Sequence, residues 1–297
     1  MTTSTGSSSR PRSASVAAYR APSDPRAIEE ALERLGLRPA RRWGQSFLAD
    51  PFVADAEAAL AVDGASGPIV EIGGGLGVLT EALLRRGARQ LTVVEREPRL
   101  ARHLRATFGN NVRVVEADAL THRFPAGATV VGNLPFSTAT SMMLALWAER
   151  VPRIVVMVQR EVAERIAATA GSKKYGRLSI VAALYGTTEL FQSVPSRSFR
   201  PVPEVQGRIL RFRARMGELP VPSVPRFEDL VRTLFSSRRK QLGNLLPRLA
   251  GSLSEGTAWA KEAGWPSTWS KDRPEDLPPE AYFALARAAG SAGSGTR

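Results

Sequence analysis

Five apolar runs, at residues 69–72, 91–94, 112–115, 129–131 and 154–158, are each too short for a helix, and stretches of helical periodicity follow most of them, around 79–86, 99–108, 137–149 and 161–168. No other feature of the chain narrows its fold as much. Strands that read as unbroken apolar runs are buried on both faces, and their alternation with helices makes them parallel members of one covered sheet. Two more apolar runs, near 187–194 and 205–212, lack a clear helix between them and are expected to close the sheet as an antiparallel hairpin. The expected fold class is therefore α/β, with a mostly parallel, doubly wound sheet.

The flanks read differently. Residues 1–22 are rich in Ser, Thr, Pro and Arg, with no acid before Asp24, so they cannot bury enough apolar surface to fold and form a basic arm. An acid-poor, Arg/Ser-rich start also resembles an organelle transit peptide, against which stand Pro11 and the lack of an amphipathic stripe. With no apolar signal core, secretion is not expected and a cytoplasmic location is. Ser23 is placed to cap a helix carrying Ile28, Leu32 and Leu35 on one face and stopping at Gly36. A basic loop with Arg38, Arg41 and Arg42 leads to Gly44-Gln45-Ser46-Phe47-Leu48, and a helix is expected from Pro51. Beyond the Pro-rich stretch 220–225 the signal turns helical, at 227–235, 240–249, 257–262 and 280–289. The expected domains are the arm 1–22, a ligand-binding α/β domain 23–219, a small all-helical domain 220–289 and a disordered tail 290–297.

Charge points to a polyanionic partner. The 297 residues carry 41 Lys and Arg against 28 Asp and Glu, a net +13, and all but 5 of the bases are Arg. Guanidinium forks bind phosphate in pairs of hydrogen bonds and stack on bases, although a GC-rich genome also enriches Arg. Residues 197–248 hold 12 bases against the acids Glu204, Glu218, Glu228 and Asp229. Within them Arg238, Arg239 and Lys240 are the expected phosphate-pairing cluster, the alternative being a solvated helix face. The irregular spacing of Trp259, Trp265 and Trp269 reads as core. Absence of Cys excludes disulfides, a thiol nucleophile and thiolate zinc, and with His103 and His122 alone no metal site or Ser-His-Asp triad is expected. No apolar run is long enough to span a membrane.

The chemistry-bearing residues fall at the ends of the expected strands. Glu71-Ile72-Gly73-Gly74-Gly75-Leu76-Gly77 follows the first strand and opens a helix, the place where glycines let a ligand approach the backbone and helix N–H groups. The acid Glu95 ends the second strand, where it can accept both hydroxyls of a ribose; Asp118 ends the third and can accept from an adenine amine. Gly73, Gly75 and Gly77 give a spacing that differs from the nicotinamide fingerprint and favours S-adenosylmethionine over NAD. After the fourth strand comes Asn133-Leu134-Pro135-Phe136, which resembles the N-[IL]-P-[YF] motif of N6-adenine methyltransferases of RNA, and the chemistry of that reaction accounts for the residue types. An exocyclic adenine amine is a poor nucleophile because its lone pair is delocalised into the ring. An amide oxygen and a backbone carbonyl that accept its two hydrogens can turn that lone pair toward a methyl sulfonium, while the Pro presets the turn and the Phe stacks on the extracted base. Positioning and electrostatics then suffice without a formal base.

On these residues the chain resembles the KsgA-type rRNA adenine dimethyltransferases, a family that includes the Erm resistance methyltransferases. The resemblance runs from about Leu35 to Ala288 and is carried by residues 44–48, 71–80, Glu95, 118–120, 133–136, 158–165, 171–176, 199–205 and 238–244. It implies a Rossmann-like S-adenosylmethionine-dependent methyltransferase sheet with a C-terminal helical RNA-binding domain. It also implies a methyl donor held by Ser46, Leu48, Gly73, Glu95, Asp118 and Asn133, with Gln45 and Phe47 in the same element. The target adenine would sit at Asn133, Leu134, Pro135 and Phe136, the partner would be ribosomal RNA or a pre-ribosomal subunit, and the protein would be a monomer.

The chain departs from the family pattern at four places. Ser46 stands where Asn is common, Gly74 where Pro is usual, Phe136 where bacterial members mostly have Tyr, and Gln206-Gly207-Arg208 where Asp-Ser-Ala is usual. The run Tyr175-Gly176-Arg177-Leu178-Ser179 is closer to KsgA than to Erm and implies dimethylation of two adjacent adenines near the 3′ end of small-subunit rRNA during ribosome assembly. Two alternatives stay open at this point: an Erm-like enzyme modifying large-subunit rRNA and conferring antibiotic resistance, and a non-catalytic RNA- or DNA-binding assembly or transcription factor on the same fold. A small-molecule methyltransferase is disfavoured by the basic C-terminal half.

Overall fold

The computed structural model of the chain describes residues 20–22, 24–37 and 46–292. The arm up to residue 19, Ser23, Arg38, Arg41, Arg42, Gly44, Gln45 and the tail from residue 293 lie outside the described residues. Helix α1 (Pro25–Arg34) buries Ile28, Ala31 and Leu32 and begins at Asp24, whose carboxylate accepts the N–H groups of Arg26 and Ala27. Asp24 is thus the observed cap in place of the expected Ser23, its oxygen serving the first free N–H groups of the helix. Strand β1 (Phe47–Leu48) leads to α2 (Pro51–Val62), capped in the same manner by Asp50.

Strand and helix then alternate as the apolar runs require, except that β4 and β5 are joined by a loop: β2 (Ile69–Ile72), α3 (Val78–Arg85), β3 (Leu91–Glu95), α4 (Pro98–Phe108), β4 (Arg113–Glu116), β5 (Thr129–Asn133), α5 (Ala139–Ala148), β6 (Arg153–Gln159) and α6 (Arg160–Ile166). A further helix, α7 (Arg177–Tyr185), precedes β7 (Gly186–Val194), β8 (Phe199–Arg200) and β9 (Gly207–Ala214). The main sheet has the order β4-β3-β2-β5-β6-β9-β7, parallel from β4 through β6. β9 inserts antiparallel between β6 and β7, the closing hairpin expected from the two late apolar runs. β1 and β8 form a separate two-stranded ribbon, with Phe47 opposite Arg200 and Leu48 opposite Phe199.

Alternate residues of each strand feed two cores. Ile69, Val93, Val131, Val155 and Met157 pack under α2, α3 and α4, whereas Val70, Ile72, Val94, Val130, Ile154 and Val156 pack on the other face. That second core continues without a break into the C-terminal helices α8 (Val224–Phe235), α9 (Leu242–Ala250), α10 (Leu253–Glu262) and α11 (Pro279–Ala292). Phe227 stacks near Phe283, and Phe235 lies between Tyr175 and Tyr282. Trp265 and Trp269 are buried, as their spacing suggested. The start of the expected tail is helical: α11 runs to Ala292. Among the described residues no helix is long and apolar enough to cross a membrane, and no group of three or more His, Asp or Glu is placed to hold a metal ion.

Candidate active site

The carboxyl ends of β2, β3 and β5 open into one cavity, as a parallel sheet dictates where the strand order reverses. Its lining joins Ser46, Phe47 and Leu48 from the β1 segment, Gly73 and Gly75 from the glycine loop, Glu95 from β3, and Asn133, Leu134, Pro135 and Phe136 from the end of β5. The structure thus brings together ten of the residues singled out in the sequence. Two others stand apart from the lining. Gly77 takes φ +90 at the start of α3, and a Cβ there would meet the Phe108 ring at 2.6 Å, so this glycine serves the packing of loop on helix. Asp118 has its carboxylate engaged one strand over, Oδ1 accepting the Leu120 N–H at 3.0 Å and Oδ2 lying 3.6 Å from Arg96.

Glu95 is a fixed acceptor. Its Oε2 takes the Gly75 N–H at 3.0 Å and its Oε1 the Glu97 N–H at 2.9 Å, so the carboxylate ties the glycine loop to the strand end. Burial raises its pKa, against the opposing pull of these N–H donors. Behind it, Glu71 also lines the cavity and accepts the Thr80 hydroxyl at 2.6 Å; desolvation foremost, with the Glu95 charge adding to it, pushes its pKa up to about 8. Deeper still, Glu57 on α2 is fully buried beside the backbone of Gly132 and Met157, with neither oxygen in a hydrogen bond of ordinary geometry. Its pKa is raised well above the usual range by burial first and the Glu71 charge second.

Asn133 is the last residue of β5, and Gly132 before it lets the strand lie against β2: a Cβ there would meet the Ile72 carbonyl oxygen at 2.4 Å. The Asn133 Oδ1 is buried and has no hydrogen-bond partner. A buried amide oxygen left unpaired costs about 1–3 kcal/mol, so an acceptor held in this state is poised for a donor from a ligand. The turn after it is fixed by backbone bonds: the Leu134 N–H reaches the Met157 carbonyl, and the Pro135 carbonyl takes the Thr138 N–H, both at 3.0 Å. Phe136 meets Phe199 edge to face, with ring centroids 6.3 Å apart, and both rings line the cavity. Phe199 and Met157 were not singled out from sequence as site residues, and Glu71 was named only at the head of the glycine-loop motif. The β1–β8 pairing that delivers Phe199 is non-local, although the run Phe199-Arg200-Pro201 marked the segment.

Beside this cavity, two residues further along β6, a wider groove of about 820 Å³ is lined by Gln159, Arg160, Glu161, Glu164 and Arg165, by Lys173 and Lys174 from the loop before α7, by Arg177 at the start of α7, and by Arg238 in the turn after α8. Of the expected basic cluster, Arg239 and Lys240 are exposed, whereas Arg238 is drawn to Glu275, its Nε donating at 2.8 Å.

Fold and cavity define a class: a Rossmann-like methyltransferase with an amide acceptor at the end of its fourth parallel strand. Within that class, the profile of ribosomal RNA adenine dimethylase sequences matches residues 37–261, and the chain belongs to that family. It is 36% identical over 271 residues to the probable ribosomal RNA small subunit methyltransferase A of Natronomonas pharaonis, covering 89% of this chain and 96% of that protein. To the ribosomal RNA small subunit methyltransferase A of Anaeromyxobacter dehalogenans it is 38% identical over 239 residues, covering 75% and 83%. Among solved structures, the 23S rRNA methyltransferase ErmE superposes with a TM-score of 0.62 at 27% identity, over 82% of this chain and 99% of that one. A dimethyladenosine transferase from Plasmodium falciparum superposes with a TM-score of 0.67 over 80% and 95%, at 22% identity, and shares the fold.

Proposed function

We propose that the protein dimethylates N6 of two adjacent adenines near the 3′ end of small-subunit ribosomal RNA, on a pre-ribosomal particle, with S-adenosylmethionine as donor. The observation that carries this reading is the buried, unpartnered Oδ1 of Asn133 at the end of β5, inside a cavity that also holds Glu95 and the glycine loop. When bound, S-adenosylmethionine supplies an electrophilic methyl group on a sulfonium. Glu95 is placed to accept the ribose hydroxyls, Gly73 and Gly75 to let the donor lie against the backbone, and Ser46, Phe47 and Leu48 to wall it in, with Gln45 in the same segment. Asp118, one strand over, serves the adenine end of the donor only if its bond to Leu120 and its pairing with Arg96 open.

The target base enters from the Phe136 side, where the ring offers a stacking face and is itself braced edge-on by Phe199. Its amine donates one hydrogen to Asn133 Oδ1. The other goes to the Leu134 carbonyl, because that of Pro135 is already taken by Thr138. Both bonds pull the nitrogen lone pair out of conjugation and aim it along the line of attack. The departing proton passes to solvent, since an alkylated exocyclic amine is strongly acidic. After one methyl is added a hydrogen remains on nitrogen, so the same site can act again.

The C-terminal helices 220–289 are proposed as the RNA-binding part, with Arg239 and Lys240 as phosphate contacts and Arg238 reaching the groove beside the cavity. Relatives named for the small subunit at 36% and 38% identity favour that substrate over the large-subunit one suggested by ErmE at 27%. The meeting of Glu95, the glycine loop and Asn133 in one cavity speaks against a non-catalytic factor. The test is methyl transfer from radiolabelled S-adenosylmethionine to purified, undermethylated ribosomal subunits. Label is expected in the small subunit, and label confined to the large subunit would move the protein to the Erm-like reading.

A further inference from the structure

Glu164 and Glu161 are the two acids in the lining of a groove that also carries six Arg and Lys side chains. Glu164 sits on α6 with its side chain 17% exposed, and three cations from three elements converge on it. Arg160, one turn earlier on the same helix, donates from Nε at 3.1 Å; Lys174, in the loop before α7, reaches the other oxygen; and Arg208 on β9 lies at 3.5 Å. Each cation has a second tether or a fixed backbone. Arg160 Nη1 donates to Gln206 Oε1 at 3.1 Å, and Arg208 Nε donates to the Phe191 carbonyl at 3.1 Å. The loop carrying Lys174 is held from the far side, where Gly171 N–H reaches the Glu275 carbonyl at 2.8 Å and Tyr175 Oη the Leu277 carbonyl at 2.9 Å. Lys174 foremost, then Arg160, keeps the Glu164 carboxyl below its usual range, so it stays ionised.

We propose that Glu164 is a specificity-determining residue: its carboxylate holds Arg160, Lys174 and Arg208 as one preformed row, so that the groove accepts RNA phosphates at a set spacing and not any polyanion. This rests on the reading of the groove as the RNA channel. Three cations within reach of one point repel each other without the carboxylate and would spread on their flexible stems. Spread cations can each follow a phosphate wherever it lies, which raises sequence-independent binding and removes the penalty for a wrongly shaped strand.

The test compares wild type, Glu164→Gln and Glu164→Asp in full-length protein, binding poly(U) and undermethylated small subunits across a salt series. Glu164→Gln is expected to steepen the poly(U) salt slope by about 1–2, at ~0.7 per added phosphate contact on a single strand. The preference for subunits over poly(U) should fall about tenfold, with Glu164→Asp partly restoring it. An unchanged slope and preference overturns the proposal, as does an equal loss of both affinities with a lowered melting temperature. Arg177→Glu, on the groove wall outside this cluster, separates the two levels of the argument. If it leaves both affinities intact, the groove does not bind RNA and that reading falls. If it weakens both while Glu164→Gln is neutral, the role of Glu164 alone falls.

Discussion

At the scale of the residue, the account turns on one amide. Asn133→Ala removes the acceptor that orients the amine, and loss of one preorganised partner of this kind costs about 10²–10³ in kcat. Because Oδ1 makes no bond within the protein, the variant should melt within a few degrees of wild type. Near-normal turnover in a single-turnover methyl-transfer assay would remove Asn133 from its role. Glu95→Ala should weaken S-adenosylmethionine binding by roughly ten- to a hundredfold, as a charged acceptor is worth about 1.5–3 kcal/mol; calorimetric titration reads this directly. Both residues were legible in the sequence because each ends an apolar strand, where alternation alone sets its position. Gly77 and Asp118 were legible as motif members but not in their contacts. Whether a loop glycine faces the ligand or Phe108, and whether an acid faces the cavity or Leu120, depends on packing that no local pattern encodes.

At the scale of the element, α2 places an acid where its neighbours are apolar. Glu57 faces the sheet between Ala54, Ala58 and Ala61, and Glu71 on β2 faces it in turn. In the folded protein Glu71 keeps its proton up to about pH 8, whereas in the unfolded chain it ionises near 4.5. Between those values the folded state binds more protons than the unfolded one, so stability falls as pH rises through the window and levels off above it. Glu57, raised in the same direction, adds to the fall. Glu57→Met, which fills the same space without a carboxyl, should therefore gain on wild type as pH rises from 5 to 8, by about 1–3 kcal/mol for a buried group without a partner. Urea unfolding at the two pH values measures it, and an equal difference at both would contradict the assignment. The elements themselves were readable where apolar runs were continuous. The two-residue strands β1 and β8 were not, because their pairing joins segments about 150 residues apart and leaves no period in either.

At the scale of the whole molecule, the positive charge is concentrated between residues 197 and 248, from the β8 segment through α9, with 12 bases against 4 acids. Replacing Arg239 and Lys240 together with Ala should flatten the salt dependence of RNA binding by about 1.4 for two lost single-strand phosphate contacts, with little change in sequence preference. An unchanged slope would leave these side chains as solvated residues of the turn between α8 and α9, where the structure places them instead of on the helix face considered from sequence. Arg238 should behave differently, since its loss also frees Glu275, which takes the Arg238 guanidinium through its side chain and the Gly171 N–H through its backbone. The composition announced a polyanion as partner, and the family resemblance a ribosomal one. The groove between α6, the loop before α7 and α8 emerges only when three distant segments are brought together. The central claim is that this site places two methyl groups on each of two neighbouring adenines. Its most direct test is to react the protein with undermethylated small subunits, digest the RNA, identify the methylated nucleosides by mass spectrometry and map them by primer extension. The account predicts N6,N6-dimethyladenosine at two adjacent positions near the 3′ end; a single modified adenine, or modification only in large-subunit RNA, would contradict it.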